Sequence, residues 1–261
     1  KTAYEIRLSL VGSEMCIRDS KSILEKFEMT ATHLNKYLQC PLVFYYESIL
    51  RVPFAKNEYT AFGTVVHNVL KWLFDEMKAR LASFPSSAEF IAEFKKQMKR
   101  QRDAFTEKEF SNRMAYGEQT MPDYYNKYVS HWSKNVKTEF TINNIEIDGV
   151  PVNGNLDKIE FNENVAHVID YKTGKPENGL KKIHAPSLKG EDNGSLQGGG
   201  QGGDYWRQIV FYKILIDNFK RENWKMESGE IDFVEKHSAK KDFVKAKILV
   251  TPEDVAIVKK Q

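Results

Sequence analysis

The chain has 261 residues, 41% of them hydrophobic and 29% charged, which is enough apolar content for one large domain or two small ones. Its 39 basic and 36 acidic residues leave a net charge of only +3, so overall charge does not by itself indicate nucleic-acid binding. The two cysteines provide no disulfide framework, and no apolar run approaches the ~20 residues of a membrane span. We therefore expect a cytoplasmic protein that does not enter a membrane.

The first 20 residues have neither a clear period nor a packing pattern. We interpret residues 1–20 as a non-native segment, because they resemble the translated read-through of a sequencing adapter, and exclude them from the fold prediction. The chain begins with lysine, and we expect it to be a piece of a longer polypeptide. Residues 21–261 are predicted to form a single domain.

The N-terminal half has helical periodicity. Thr30 or Thr32 is predicted to cap a short helix that Cys40-Pro41 interrupts, and residues 42–50 form an aromatic-rich helix. A long helix is predicted to begin around Phe62-Gly63-Thr64.

A helical insert is predicted at about residues 80–135. Within it, residues 86–105 form an amphipathic helix with a basic face, and residues 122–135 form a helix that begins at Pro122. The basic face could guide a nucleic-acid strand, or it could be an ordinary solvated helix surface.

The period then changes to that of strands. Residues 140–147 begin strand-like segments, Gly149 marks a turn, and residues 152–161 form a second strand. Asn162-Glu163-Asn164 predicts a tight turn into a third, more apolar strand at residues 165–171.

Polar residues at about 174–203, ending in a glycine-rich run, predict a mobile loop. A helix at 204–219, strands at 231–235 and 244–250, and a terminal helix capped by Thr251 follow. The predicted fold class is therefore α/β: a mixed β-sheet flanked by helices, with a helical N-terminal half.

Two carboxylates and a lysine are predicted to meet on neighbouring strands. Asp170 ends the apolar third strand, and Asp157 faces it if the two strands pair across the turn. Two such carboxylates can hold a hard divalent cation, or they can be ordinary strand-end acids. Lys172 points to the same face as Asp170, where it could handle a water molecule or form a salt bridge.

Three further side chains become candidates in this context. His67 lies on an otherwise apolar helix, where it is either a satisfied core residue or a metal ligand. Gln208 and Tyr212 are four residues apart and share one helix face. They could contact a substrate strand or the lysine, or form a polar helix rim.

These motifs together resemble the RecB-type branch of the PD-(D/E)XK nuclease superfamily. The similarity lies in their order along the chain: the Thr-x-x-x-Leu-x-x-Tyr-x-x-Cys-Pro-x-x-Phe opening, Gly63-x-x-x-His67, Gly154-x-x-Asp157, Asp170-Tyr171-Lys172-Thr173-Gly174 and Gln208-x-x-x-Tyr212. It covers about residues 28–250 and is most similar to the nuclease module at the C-terminal end of bacterial UvrD/AddA-like helicases.

The resemblance implies a restriction-endonuclease-like fold and a metal-dependent DNA nuclease of double-strand break repair or recombination, more an exonuclease than an endonuclease. The metal would be Mg²⁺ or Mn²⁺, and the partners would be DNA, in single strands, and helicase domains of the same or another chain. The implied site residues are the metal ligands His67, Asp157, Asp170 and the Tyr171 carbonyl, the water-positioning Lys172, and the accessory residues Gln208, Tyr212 and Glu139.

One departure from the resembling proteins concerns iron. Several of them hold an iron–sulfur cluster with an early cysteine and a C-terminal cysteine group. Here Cys40 occupies the early position but no cysteine follows it, so we expect no such cluster. The alternative function is a catalytically silent DNA-binding or scaffold module of a helicase complex. Inactive copies usually lose an acid or the lysine, and all are present here.

Overall fold

The computed structural model describes residues 23–53, 57–186 and 201–261. The predicted non-native segment 1–20 lies outside the described residues, as does the stretch 187–200 of the predicted mobile loop. The described part of that loop contains a short helix and a 3₁₀ turn.

The helices are α1 (Ala31–Gln39), α2 (Pro41–Phe44), α3 (Glu58–Ala79), α4 (Ser87–Arg100), α5 (Glu107–Tyr128), α6 (Pro176–Gly179), α7 (Asp204–Asp217) and α8 (Pro252–Lys260). A π-helical turn spans Tyr45–Ile49, and 3₁₀ turns span Arg102–Ala104 and Leu180–Lys182.

The strands are β1 (Val136–Ile147), β2 (Val150–Asn162), β3 (Val165–Lys172), β4 (Lys225–Lys236) and β5 (Phe243–Leu249). They form one sheet in the order β1-β2-β3-β4-β5. The β3–β4 pair is parallel and the other three pairs are antiparallel. The predicted mixed α/β sheet with flanking helices is therefore confirmed.

Helices cover both faces of the sheet. On one face, α3, α4 and α5 form an apolar cluster with the inward side chains of β1, β3, β4 and β5. On the other face, α7 packs against β4, β2 and β1, with α1 and α8 behind it. The parallel β3–β4 connection passes through α7, which places this helix against the strand that carries Asp170.

Helix ends follow their caps. Thr30 accepts a hydrogen bond from the His33 amide and begins α1, as predicted. Helix α3 begins earlier than predicted, because Asn57 caps it through the Thr60 amide. Thr251 begins α8 with a capping box, also as predicted.

One helix prediction is wrong. Residues 122–135 do not form a separate helix; Pro122 lies inside α5, which begins at a capping box on Thr106 and ends at Tyr128. The earlier capping signal decides where this helix starts, and its last turns accommodate the proline.

The two predicted turns are present. Gly149 joins β1 to β2 with a φ of 86°, a conformation that favours glycine. The tight turn between β2 and β3 lies where Asn162-Glu163-Asn164 predicted it.

Among the described residues, no helix combines the length and apolar character that a membrane span requires.

Candidate active site

The β2–β3 register brings Asp157 and Asp170 to one end of the sheet. Lys158 pairs with Ile169, so Asp157 and Asp170 are the next residues along the two antiparallel strands. The Asp157 carboxylate accepts a hydrogen bond of 2.9 Å from the Tyr171 amide. The predicted pairing across the turn therefore places the first carboxylate directly beside the Asp170-Tyr171-Lys172 segment.

Strand β1 contributes a third acid through a local irregularity. The register passes from Thr138↔Lys158 to Phe140↔Leu156, with Glu139 between them in the left-handed region at φ 46°. Glu139 consequently lies opposite Asp157, and its carboxylate accepts a hydrogen bond from the Asn155 side chain.

His67 reaches this cluster from α3. Its Nε2 lies 3.1 Å from the Tyr171 carbonyl oxygen, and its Nδ1 lies 3.4 Å from Asp157 and 3.9 Å from Glu139. Each of His67, Glu139 and Asp157 offers a ligand atom, and these atoms all lie within 4.8 Å of one another. Within the described ranges, this is the group of histidine and acidic residues with the spacing of a metal site.

Two motif glycines allow these approaches. A Cβ on Gly63 would meet the Thr173 hydroxyl at 3.2 Å, which shows how closely α3 approaches the end of β3. A Cβ on Gly154 would come within 2.6 Å of Leu215 on α7. The first glycine helps to bring His67 to the site, and the second lets β2 pack on the opposite helix.

Asp170 is held by α7 rather than by the histidine cluster. Its Oδ1 accepts hydrogen bonds from Gln208 Nε2 at 2.8 Å and from the Tyr212 hydroxyl at 3.1 Å. Its Oδ2 forms an ion pair of 2.7 Å with Lys172, and the residue is 2% exposed. The structure thus brings Gln208, Tyr212 and Lys172 together around one buried carboxylate.

Lys172 is fixed on three sides. Besides its ion pair with Asp170, its Nζ donates a hydrogen bond of 3.0 Å to Gln208 Oε1. It also lies 4.7 Å from the centre of the Tyr205 ring. Its side chain nevertheless keeps 21% of its surface exposed, so Lys172 lies at the edge of the site rather than in the core.

The cluster strongly favours a positive charge at His67. Burial disfavours the protonated ring, but the hydrogen bond and charge of Asp157, with the charges of Asp170 and Glu139, outweigh it and raise the pKa of His67 to about 9. In the absence of a metal, a proton on His67 therefore supplies the cationic charge that these carboxylates attract.

Burial and nearby charges also shift the pKa values of the groups around His67. Burial raises the pKa of Asp170, an effect that the neighbouring Lys172 opposes. Burial and the charge of Asp157 likewise raise the pKa of Glu139. Burial lowers the affinity of Lys172 for its proton, but the charge of Asp170 outweighs this and raises the pKa of the lysine.

The donor set fits a divalent cation. Carboxylate oxygens suit Mg²⁺ and Mn²⁺, and an imidazole nitrogen is an acceptable additional ligand for Mn²⁺. In the neutral ring, Nε2–H can donate to the Tyr171 carbonyl, which leaves the Nδ1 lone pair on the side of the two carboxylates. His67, Asp157 and Glu139 have the spacing to hold the ion, and Asp170, the other predicted carboxylate ligand, lies opposite Asp157 at the end of β3.

Sequence reasoning missed two residues of this site. Tyr205 lies three positions before Gln208 on α7, and that helical spacing could have revealed it. Asn155 carried no such signal, because its contact with Glu139 joins two different strands, β1 and β2.

The basic face of α4 gives little support for strand guidance. Lys95 pairs with Glu118 at 2.7 Å, Lys96 pairs with Glu93 at 2.9 Å, and Arg102 pairs with Glu107. Lys99 and Arg100, at the end of α4, have no ion pair among the described residues, so only part of this basic surface is paired within the protein.

Comparisons with curated proteins and with solved structures give little information. No curated protein matches the chain. Among solved structures, the chain is similar to one described as the crystal structure of SSO0001, with 14% sequence identity over 73% of this chain and 82% of that chain. The TM-score of 0.29 is too low for this likeness to support an argument.

The family comparison covers most of the chain. Residues 28–246 match the PD-(D/E)XK nuclease superfamily, and the mixed five-stranded sheet with flanking helices agrees with the predicted restriction-endonuclease-like fold. The chain therefore belongs to the PD-(D/E)XK nuclease superfamily.

Proposed function

We propose that this chain is a Mg²⁺- or Mn²⁺-dependent DNA nuclease domain that hydrolyses phosphodiester bonds. The observation that carries the proposal is the joint presence of a metal-compatible cluster and an adjoining acid–lysine pair. His67, Asp157 and Glu139 form the cluster, and Asp170 with Lys172 lies next to it on β3.

The chemistry divides between the cation and the lysine. A bound divalent cation supplies Lewis acidity toward a phosphate oxygen. Lys172 holds its proton firmly because of the charge of Asp170, so its ammonium group can donate hydrogen bonds to an attacking water or to the phosphate. In this arrangement it orients the water and offsets the negative charge that develops on the phosphate.

Gln208 and Tyr212 keep this pair in position. Gln208 donates to Asp170 and accepts from Lys172, so a single amide fixes both reactive side chains. Tyr212 donates a second hydrogen bond to the same Asp170 oxygen. We propose that both residues order the site.

The shape of the site suits a polymer. The cluster opens into a groove of about 600 Å³ along one side of α3. The side chains at its rim include those of Thr60, Thr64, Asn68 and Lys71. A wide, solvent-open groove accommodates an extended nucleic-acid strand more readily than it encloses a small molecule.

The wider context rests on the motif order alone. The RecB-type order, from the Cys40-Pro41 segment to Gln208 and Tyr212, supports a module of a helicase–nuclease that degrades single strands in double-strand break repair. Exonuclease action is the mode that we propose.

The test is a cleavage assay on labelled single- and double-stranded DNA with Mg²⁺, Mn²⁺ or EDTA. We expect metal-dependent cleavage that Asp170→Ala and Lys172→Ala both abolish, whereas Lys247→Met, an exposed change on β5, leaves it intact. Binding of Mn²⁺ and DNA without cleavage would instead assign the scaffold function. Cleavage that is unchanged in the Asp170 and Lys172 variants would place the chemistry elsewhere.

A further inference from the structure

Two local features surround the carboxylate of Glu139. The β1–β2 register places Glu139 opposite Asp157, and Glu139 itself adopts φ 46°, a conformation that a glutamate rarely takes. The Asn155 side-chain amide then donates a hydrogen bond to the Glu139 carboxylate.

Asn155 is itself oriented from the opposite strand. Thr141 is its cross-strand partner, and the Thr141 hydroxyl donates a hydrogen bond of 3.1 Å to Asn155 Oδ1. With its oxygen occupied in this way, the amide nitrogen faces Glu139. A chain of hydrogen bonds therefore runs from Thr141 through Asn155 to Glu139.

Resting on the proposed function, we infer that Glu139 is a direct carboxylate ligand of the divalent cation and that Asn155 is the positioning residue that holds it there. Glu139 lies within the 4.8 Å group formed with His67 and Asp157, and Asp170 lies on the adjoining end of β3. Glu139 thus supplies a further carboxylate beside Asp157.

In this arrangement Glu139 binds the metal and Asn155 orients Glu139. Partners of a metal ligand commonly change metal affinity 10–100-fold when they are removed, because they fix the orientation of the ligand. Asn155 is exposed and makes its described side-chain bonds only to Thr141 and Glu139, so its truncation leaves the core untouched. Its effect on metal binding should therefore pass through Glu139.

The experiment is a double-mutant cycle on the full chain, with the Mn²⁺ dissociation constant measured by calorimetry in the absence of DNA. We expect Glu139→Gln to weaken Mn²⁺ binding at least 10-fold and Asn155→Ala to weaken it roughly 10-fold. In the Glu139→Gln background, Asn155→Ala should have almost no further effect. Glu146→Gln, an exposed acid on the same strand, is the control and should bind Mn²⁺ like the parent chain.

The outcomes separate this inference from the proposed function. A parent chain that binds Mn²⁺ normally but is indifferent to Glu139→Gln overturns the ligand assignment and leaves the nuclease proposal standing. An Asn155→Ala effect that persists in the Glu139→Gln background overturns the positioning assignment. A parent chain that binds no Mn²⁺ contradicts the proposed function and this inference together.

Discussion

Two charged regions of this sheet differ in how the charges of their acidic side chains are neutralised. One is the open cluster of His67, Glu139 and Asp157. The other, here called the interior row, is Lys158, Tyr171, Asp232 and Lys245 on β2 to β5, beneath α3 and α5. Tyr171 belongs to both regions, because its backbone contacts the cluster and its ring faces the row.

The interior row pairs its acids with the amino groups of two lysines, Lys158 and Lys245. Lys158 is fully buried, pairs with Glu160 at 3.0 Å and lies 4.7 Å from the Phe74 ring centre. Asp232 is also fully buried and pairs with Lys245 at 2.8 Å. The charges of Asp232 and Glu230 outweigh burial and raise the pKa of Lys245, which therefore stays protonated.

The open cluster has no such fixed cation among its three members. Its only basic member is a histidine, which can exchange its proton for a metal ion, whereas a lysine held like Lys245 cannot. Under the proposed function, similar acids serve structure where a lysine such as Lys245 stays protonated beside them, and serve chemistry where the neutralising group can be replaced.

The largest effect should separate a reactive lysine from a structural one. Lys172→Ala is expected to lower the cleavage rate roughly 10³-fold, because it removes the ammonium group that faces the substrate. Lys245→Met should retain the cleavage rate at temperatures where it is folded. Single-turnover assays with Mn²⁺ measure both rates, and equal losses in the two variants would erase the distinction.

Lys245→Met should lower the free energy of unfolding although it should not lower the cleavage rate. Lys245→Met leaves the buried Asp232 with the Tyr124 hydroxyl as its remaining described partner, so we expect a loss of about 3 kcal/mol in the free energy of unfolding. Lys247→Met, two residues further along the same strand and exposed, is the control and should change it by less than about 0.5 kcal/mol. Urea unfolding measures both, and a neutral Lys245→Met would show that the row does not depend on its lysine.

The pH dependence should report the exchangeable proton on His67. Its pKa is raised in the folded, metal-free chain from 6.5 to about 9. Its stabilising contribution, roughly 3 kcal/mol, is therefore complete below about pH 6.5 and disappears as the pH rises through about 9. Urea unfolding without metal at pH 6.5 and pH 9.5 should show this loss, and His67→Gln should flatten it.

The same proton should be displaced by metal. Calorimetry at pH 7.5 in buffers of different ionisation enthalpy should detect about one proton released per Mn²⁺ bound, because the metal takes the imidazole lone pair. Undiminished proton release in His67→Gln would assign the proton to another group.

The smallest effect compares two buried phenols. Tyr124 donates a hydrogen bond of 2.8 Å to Asp232, whereas the Tyr171 hydroxyl has no hydrogen-bond partner in the part of the chain that the structure describes. Tyr124→Phe should lower the free energy of unfolding by about 1.5 kcal/mol. Tyr171→Phe should leave it unchanged or raise it by up to about 1 kcal/mol. Thermal unfolding compares the pair, and equal destabilisation would mean that the Tyr171 hydroxyl is satisfied.

The sequence was sufficient for the order of elements and for the Asp157–Asp170 juxtaposition. That juxtaposition needs only a tight turn and an antiparallel pair, both of which are local signals. The start of α3 and the continuity of α5 through Pro122 were missed, because Asn57 and Thr106 cap these helices at positions that periodicity does not reveal.

Other parts of the site depend on long-range register. Glu139, which lies opposite Asp157, itself has a left-handed backbone conformation in β1, and no pattern in the sequence of the strand predicts it. Lys158 would be expected on a solvated face, yet it is buried. Leu156 and Ile159 face the same core although they are three residues apart, so the alternation of β2 breaks near Asp157.

The central claim is that the cluster exchanges a proton for a divalent cation. Anomalous diffraction from crystals soaked in Mn²⁺ tests it most directly. We expect a single strong peak about 2.0–2.3 Å from His67 Nδ1 and from oxygens of Asp157 and Glu139, and no peak in Asp157→Asn crystals. A cluster that remains free of Mn²⁺ in a chain that still cleaves DNA with this metal would contradict it.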